Sequence, residues 1–309
     1  MKKVAPKNKS PKKKAPAKPK SRSKSKKNGR RLKRWKELGW FRKIIRFLWV
    51  SLLTLWFISL ALVILYKWVN PVITPLMVQR FTQQMFQPHR PINFEHESVP
   101  IDSISHYMVD CVVASEDGLF LYHKGFDVKQ LKISYRENHQ GRRMRGGSTI
   151  SMQTAKNAFL PHRRSMVRKA AEAYYTQLIE WMWGKRRIME VYLNIIEFGD
   201  GIYGVEAASQ HYFGHSAKTL TRHEAAQLAV TLPSPLKENP ANPTAHFRRR
   251  TSSIVARSSK YGKINLDAKP KDLNPKYRDQ EDIIDFLKWY REQEKIEKEK
   301  EEAKSKKKK

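Results

Sequence analysis

The feature that most constrains this chain is an uncharged apolar stretch of 20 residues, Phe47 to Tyr66. At a helical rise of about 1.5 Å per residue it would be about 30 Å long, the thickness of a bilayer's hydrocarbon core. A cleaved signal sequence has a shorter apolar region and then a small-residue cleavage site, whereas Lys67-Trp68 follows here. We therefore predict one transmembrane helix at residues 46–67.

Positive charge is concentrated on the N-terminal side of this stretch. The formal net charge is +33, and more than half of it falls within the first 46 residues, where Glu37 is the only acid. Because the basic flank of a membrane span stays in the cytoplasm, residues 67–309 are expected outside it. The basic tail is then expected to contact anionic membrane lipids, and nucleic acid is not expected as a partner.

Composition and periodicity divide the rest of the chain. Apolar residues recur at helical spacing and almost nothing alternates as a strand should, which predicts a mainly α fold. The first residues are rich in Lys, Pro and Ser, a composition typical of disorder. The predicted divisions are a disordered cytoplasmic tail (1–45), the transmembrane helix (46–67), a linker (68–89), a globular domain (90–245) and a charged C-terminal extension (246–309).

The first segment with candidate chemistry runs from Glu116 to Asp127. Glu116 is predicted at the C-terminal end of a helix, where the helix dipole disfavours a negative charge and raises the pKa of a carboxyl group. A raised pKa suits a general base that works near neutral pH. Taken alone, the Glu116-Asp117 pair is more typical of a surface turn with an acidic cap.

The second segment runs from Gly146 to Asn157. Ser148 is predicted to cap a helix, and the N-terminus of a helix favours an anion. Lys156 follows two turns later, roughly on the face of Ser148. An ordinary capped helix with an exposed lysine explains the same pattern.

Two further segments carry regularly spaced polar residues. Arg164, Arg168 and Glu172 recur every four residues, so they share one helix face. Two guanidinium groups on one face suit a diphosphate, although an exposed, salt-bridged helix gives the same spacing. Glu190 and Asn194 belong to a polar stripe for which a structural role is favoured.

In this order the four segments resemble the motifs of glycosyltransferase family 51, the peptidoglycan glycosyltransferases. The family patterns are Glu-Asp-x-x-Phe-x-x-His-x-Gly-x-Asp, Gly-Gly-Ser-Thr-Ile-(Ser/Thr)-x-Gln, Arg-Lys-x-x-Glu and Lys-x-x-Ile-x-Glu-x-Tyr-Leu-Asn. This sequence matches them from Glu116, from Gly146, from Arg168 and from Lys185. The resemblance covers roughly residues 90–245. It is to the transferase-only branch, since the motifs of a penicillin-binding domain do not follow.

The resemblance implies a lysozyme-like helical lobe and a small lobe that dips into the membrane. It also implies a role for each matching residue. The general base would be Glu116, with Glu172 as a second acid, and the supports of Glu116 would be Asp117, Phe120 and His123. The ligands of the substrate and its diphosphate would be Ser148, Gln153, Lys156, Arg164, Arg168 and Lys169. The structural residues would be Glu190 and Asn194.

The implied reaction polymerises lipid II into glycan strands by inverting glycosyl transfer and releases undecaprenyl diphosphate. The implied partners are lipid II, the growing strand and, as further candidates, other cell-wall synthases. The location would be the inner membrane, with the catalytic domain in the periplasm. No cofactor is required by the sequence and no metal site is certain, while Mg²⁺ or Mn²⁺ at the substrate diphosphate is compatible with the family.

Two other hypotheses come from different classes of protein. A lysozyme-like lytic enzyme would also use one glutamate, but it does not need a diphosphate site formed by Lys156, Arg164 and Arg168. A membrane-tethered basic scaffold would act through the charged tails alone.

Overall fold

The structure is a computed structural model that describes residues 25–87, 92–139, 147–162, 165–277 and 280–306. Arg164 and residues 1–24 of the basic tail lie outside these ranges. The described chain is mainly helical, which confirms the predicted fold class. Its α-helices are α1 (Ser25–Tyr66), α2 (Pro75–Met85), α3 (His106–Glu116), α4 (Val128–His139), α5 (Ile150–Phe159), α6 (Met166–Met182), α7 (Lys185–Ile195), α8 (Val205–Phe213), α9 (Arg222–Thr231), α10 (Ala245–Tyr261) and α11 (Ile283–Lys306).

Helix α1 contains a segment that is long and apolar enough to cross a membrane, Gly39–Tyr66, with 28 residues and a mean hydropathy of 2.5. Only 6% of its most apolar window is buried, whereas the core helix of a soluble protein would be mostly buried. Phe47 and Trp49, for example, are 70% and 60% exposed. Helix α1 begins at Ser25, so residues 25–45 are helical and not disordered as expected from composition. Lys and Arg have a high intrinsic helix propensity, which composition alone did not weigh against disorder.

The C-terminal turns of α1 are fixed to the globular domain. The indole Nε1 of Trp183 donates a 2.9 Å hydrogen bond to the carbonyl oxygen of Val63, whose side chain is fully buried. Arg187 donates from Nε and Nη2 to the carbonyl oxygen of Tyr66, at 3.0 and 2.8 Å. These carbonyls lie in the last turn of a helix, where they lack intrahelical partners. The bonds therefore satisfy the helix end and hold it against α6 and α7.

The globular helices form two packed groups. Helix α3 packs against α9 and α10, and α5 packs against α6 and α7. Side-chain caps fix the starts of several helices. Thr221 and Glu224 form the capping box of α9, and Ser165 caps α6. Helix α5 is capped by Thr149, whose hydroxyl accepts from the amide of Met152, and not by Ser148 as predicted. Ser148 precedes the cap and is exposed, because the helix begins one residue later than the sequence suggested.

A small three-stranded sheet closes one side of the domain. Its strands are β1 (Glu95–His96), β2 (Glu197–Gly199) and β3 (Ile202–Tyr203), in the order β1-β3-β2. Strand β1 runs parallel to β3, and β2 runs antiparallel to it. The sheet therefore connects the segment before α3 to the segment after α7.

The domain continues past residue 245, where the sequence placed its end. Phe247, Thr251 and Ile254 of α10 are at most 1% exposed, since they pack against α3 and α9. Only the later part of the predicted extension is peripheral. There, α11 packs on α4, and Lys132 of α4 forms an ion pair with Glu281, which precedes α11, at 2.5 Å.

Gly125 offers a test of the packing between the turn after α3 and helix α6. Its φ is +97°, and an added Cβ would lie 2.9 Å from Cγ2 of Thr176. Gly214 has a φ of +74° but no atom within 4 Å of its Cβ position. We expect Gly125→Ala to lower the free energy of unfolding by about 2–3 kcal/mol and Gly214→Ala by about 1 kcal/mol. Thermal unfolding of the full chain in detergent measures both, and equal losses would contradict the contact.

Candidate active site

The carboxylate of Asp117 ties the two helix groups together at the end of α3. It accepts hydrogen bonds from Nε2 of His123 at 2.9 Å and from the amide of Ile150, the first residue of α5, also at 2.9 Å. Nδ1 of His123 accepts from the amide of Gly125, so the ring proton is on Nε2. An anion at a helix N-terminus is stabilised by the unpaired amides and the dipole. Asp117 therefore fixes the position of α5 relative to Glu116, the residue that precedes Asp117 in the chain.

Glu116 is the last residue of α3 and lies beside α5. Its Oε2 accepts a 2.9 Å hydrogen bond from Nε2 of Gln153, whose Oε1 in turn accepts from the hydroxyl of the fully buried Tyr192. Burial raises the pKa of Glu116, and the bond from Gln153 partly offsets that increase. The direction agrees with the expectation from the sequence, but desolvation is the main cause.

Lys156 lies one turn after Gln153 on α5. Its ammonium group makes no hydrogen bond or ion pair with any residue in the described ranges, although burial lowers its pKa. The neighbouring Glu172 and Glu116 oppose that decrease, while Arg168 and Lys169 reinforce it. A partly buried cation with unused donors is ready to receive an anion.

The carboxylate of Glu172 is already neutralised from two sides. Oε2 accepts from Nη1 of Arg168 and Oε1 accepts from Nζ of Lys169, both at 2.6 Å. The Glu172 side chain is 3% exposed, whereas those of Arg168 and Lys169 are 19% and 45% exposed. Glu172 thus orients two cations towards the surface near Lys156, and the contact of each carboxylate oxygen with a cation disfavours a role as general base.

A second ion pair supports the turn that follows Glu116. The ammonium group of Lys185 donates to the carbonyl oxygen of His123 and to Glu180, each at 2.7 Å, and lies 4.7 Å from the ring centroid of Phe120. Oε1 of Glu180 also accepts from the hydroxyl of Ser151 on α5. Phe120 is fully buried. The turn is therefore stabilised by the packing of Phe120 and by the charged contacts of Lys185.

The structural role expected for Glu190 and Asn194 agrees with their contacts. Asn194 is fully buried, accepts from the amide of Val99 and donates to the carbonyl oxygens of Val99 and Glu190. Glu190 accepts from the amide of Ile101 and pairs with Arg187. Both residues fix the segment before α3 and do not face Glu116.

The geometry brings together most of the residues that the motifs indicated. Glu116, Gln153 and Lys156 lie at the meeting of α3 and α5, with Arg168 and Glu172 within electrostatic range of Lys156. Gln153 was expected as a substrate ligand, but its amide is engaged by Glu116 and Tyr192. The roles of Ser148 and Arg164 stay predictions.

One contributor was missed by the sequence reading. Arg250 of α10 acts electrostatically on Glu116 and lowers the pKa that burial raises. It stands three residues after the buried Phe247 and four before the buried Ile254. This helical spacing places Arg250 on the inward side of α10, and the spacing is visible in the sequence.

The donor set does not fit a divalent cation held by the protein. The described residues contain no group of three or more His, Cys, Asp and Glu side chains arranged around one point. Glu172 is engaged by two cations, and Glu116 faces Gln153. We assign no step to a metal, and a cation carried by the substrate stays a prediction.

Comparison with known proteins is consistent with this site. A family model described as transglycosylase matches residues 83–259. The chain is 50% identical over 192 residues to a biosynthetic peptidoglycan transglycosylase of Caulobacter vibrioides, a match that covers 62% of this chain and 81% of the relative. Proteins with the same description are 40% identical in Shewanella oneidensis, over 71% of this chain and 94% of the relative, and 44% identical in Bacteroides thetaiotaomicron, over 69% and 86%.

Fold and site together define a membrane-anchored enzyme in which one partly buried carboxylate lies beside a cationic surface. The extent of the match makes the assignment specific, and the chain belongs to the transglycosylase family. The resemblance inferred from the four motifs is confirmed. The match also extends through most of α10, in agreement with the packing of that helix.

The bond from Gln153 predicts a change in pH dependence. Gln153→Ala removes a donor that stabilises the ionised form of Glu116, so the pKa of Glu116 should rise further. The acid limb of the transglycosylase pH profile should then move to higher pH, with the greatest loss of activity at the acidic end. Gln210→Ala, which removes a similar bond to the distant Glu206 at 3.0 Å, serves as the control. An unshifted acid limb in Gln153→Ala would show that this bond does not tune the base.

Proposed function

We propose that this chain polymerises lipid II into peptidoglycan glycan strands by inverting glycosyl transfer. The single observation that carries the proposal is the proximity of Glu116, a carboxylate with a raised pKa, to Lys156, a cation without a hydrogen-bond or ion-pair partner among the described residues. The relatives' description as biosynthetic peptidoglycan transglycosylases supports the substrate class. It also supports the predicted enzyme class, a peptidoglycan glycosyltransferase.

Glu116 acts as the general base in this proposal. It removes the proton from the 4-hydroxyl of the acceptor's N-acetylglucosamine while that oxygen attacks C1 of the donor's N-acetylmuramic acid. The bond from C1 to the diphosphate oxygen breaks, and the configuration at C1 inverts. A carboxylate whose pKa is raised by burial is a stronger base than an exposed one, which suits proton removal near neutral pH.

The cationic residues stabilise the leaving group. Undecaprenyl diphosphate departs with the electron pair of the broken bond, and Lys156 and Arg168 bind the negative charge that develops on it. Glu172 keeps Arg168 and Lys169 in place and does not itself accept the proton. Arg164 is proposed as a further ligand of the diphosphate. No general acid is required, since a diphosphate leaves once its charge is compensated.

The membrane anchor places the enzyme next to its lipid-linked substrate. Helix α1 ends at Tyr66, and its last carbonyl is held by Arg187 of the domain. The excess of basic residues before the span supports a cytoplasmic N-terminus and an extracytoplasmic catalytic domain. The basic tail is proposed to contact anionic lipids, and partner synthases remain candidates.

The cationic surface favours synthesis over the lytic alternative. A hydrolase of finished glycan has no diphosphate to stabilise, so a partly buried lysine without a partner would only cost desolvation. Both the site and the biosynthetic description of the relatives therefore argue against glycan cleavage. The same two findings argue against a scaffold that acts through its tails alone.

Replacement of Glu116 tests the base directly. We expect Glu116→Gln to lower polymerisation of lipid II by about 10²–10⁴-fold, because the amide cannot accept the proton. The fold should persist, since the amide can still accept the bond from Gln153. Gel analysis of the glycan product gives the rate, and Glu95→Gln, at an exposed carboxylate that contacts His211, is the matched control. Near-normal strands from Glu116→Gln would rule out its role as base.

Lys156 and Lys169 both lie near the carboxylate of Glu172. Replacing each lysine in turn distinguishes a specific contact with the leaving group from a general effect of positive charge. Lys156→Met should lower kcat by about 10²-fold, because a partly buried cation that faces the leaving group is lost. Lys169→Met should have a much smaller effect, since that side chain is 45% exposed and screened by water. Steady-state kinetics with lipid II compare the two variants. Equal losses would contradict a special role for Lys156.

A further inference from the structure

An apolar groove of about 710 Å³ lies at the end of the membrane helix, and no step of the proposed reaction uses it. Its walls come from three places, the last turns of α1, helix α2, and the junction of α5 with α6. The residues that matter for its chemistry are Tyr66, Val78, Gln79, Phe159 and Tyr175.

Stacked aromatic rings form one wall of the groove. The ring of Phe159 stacks on that of Tyr175, with centroids 4.5 Å apart and planes 7° from parallel. The ring of Tyr66 also stacks on that of Phe159, at 5.6 Å and 29°. Because these rings hold one another in place, they offer a flat, ordered apolar surface. Such a surface suits a hydrocarbon chain.

The groove is continuous with an apolar face of α2. Val78, Phe81 and Met85 are spaced three and four residues apart, so they share a helix face, and they are 52%, 40% and 56% exposed. Val78 lines the groove, whereas Met85 does not. An exposed apolar face beside the end of a membrane span is suited to contact with lipid. The groove is therefore accessible to the chain of a membrane lipid.

The border of the groove at Gln79 and Pro161 is its polar end, next to His162. The amide of His162, directly after the lining residue Pro161, donates a 2.9 Å hydrogen bond to Oε1 of Gln79. Nδ1 of His162 is buried and has no hydrogen-bond partner in the described part of the chain. Burial lowers the pKa of His162 to about 4, with further contributions from Lys156, Arg80 and Arg168. These three cations are therefore within electrostatic range of the imidazole.

The cationic site and the aromatic wall are also adjacent along the helices. Lys156 stands one turn before Phe159 on α5, and Glu172 stands one turn before Tyr175 on α6. One helical turn rises about 5.4 Å. The few bonds that join a diphosphate to the start of its lipid chain can span this distance. A molecule bound by the cations can thus enter the groove with the part that follows its diphosphate. The occupant that fits has an anionic head and an apolar tail.

We propose that the groove binds the isoprene units next to the diphosphate in the polyprenyl chain of the substrate. The assignment rests on the proposed function, because it takes the diphosphate to be bound by Lys156 and Arg168. It gives the enzyme a way to recognise the lipid carrier as well as the sugars. The aromatic wall contacts the unsaturated chain, and the polar end leads the diphosphate to the cations.

A bulky residue in the groove tests this proposal with a matched control. Val78→Trp fills the groove, while Met85→Trp adds the same ring to the same exposed face outside it. For the full chain in vesicles, we expect Val78→Trp to raise KM for full-length lipid II about tenfold, the effect of losing roughly two buried methylene contacts. Met85→Trp should match the wild type. With an analogue of lipid II whose diphosphate carries a methyl group in place of all isoprene units, Val78→Trp and the wild type should have the same KM. Equal KM values for the two variants on full-length lipid II would overturn the proposal.

Labelling identifies the occupant without relying on turnover. A polyprenyl diphosphate with a photoreactive group on its first isoprene unit should label peptides that contain Val78 or Phe159. Unlabelled polyprenyl diphosphate should suppress the labelling, whereas an excess of anionic phospholipid should not. Equal suppression by phospholipid would overturn the proposal in favour of a general lipid site. If the wild-type chain failed to polymerise lipid II, the proposed function would fail, and this labelling would still decide whether the groove binds a polyprenyl chain.

Discussion

The buried carboxylate of Asp117 is the interaction on which the site depends. It joins the end of α3 to the first amide of α5 and orients His123 in the turn between them. The neighbouring residue Glu116 thereby meets Gln153, one turn inside α5. Removal of this anion would leave a helix N-terminus and a buried imidazole without their partner, a cost of about 3 kcal/mol or more. The catalytic geometry is thus a consequence of how two helix groups are joined.

The electrostatics of the site follow from that junction. Burial between the helix groups raises the pKa of Glu116, which makes it a better base. The same helix α5 carries Lys156, and α6 adds Arg168 and Lys169 around the neutralised Glu172. Proton removal and stabilisation of the leaving group are therefore assigned to different groups. The membrane helix adds a third element, since its last turns border both the domain and an apolar groove.

The sequence predicted the parts of this arrangement that depend on local pattern. The membrane span and the helices follow from hydropathy and spacing, and the motifs indicated Glu116 and Lys156. The sequence did not predict contacts between segments that are far apart along the chain. The cap of α5 is Thr149 and not Ser148, Gln153 is engaged by Tyr192 from α7, and Arg250 reaches the site from a helix that composition assigned to an extension. Such pairings depend on how the helices pack, which periodicity does not specify.

The central claim is that Glu116 faces the acceptor hydroxyl while Lys156 binds the diphosphate of the donor. The most direct measurement is an experimental structure of the full chain in lipid, trapped with a growing strand and an unreactive analogue of lipid II. We expect a carboxylate oxygen of Glu116 to lie roughly 2.6–3.2 Å from the acceptor hydroxyl. We also expect Lys156 to contact a diphosphate oxygen. A complex in which the acceptor hydroxyl is positioned by another residue, with Glu116 turned away from it, would contradict the account.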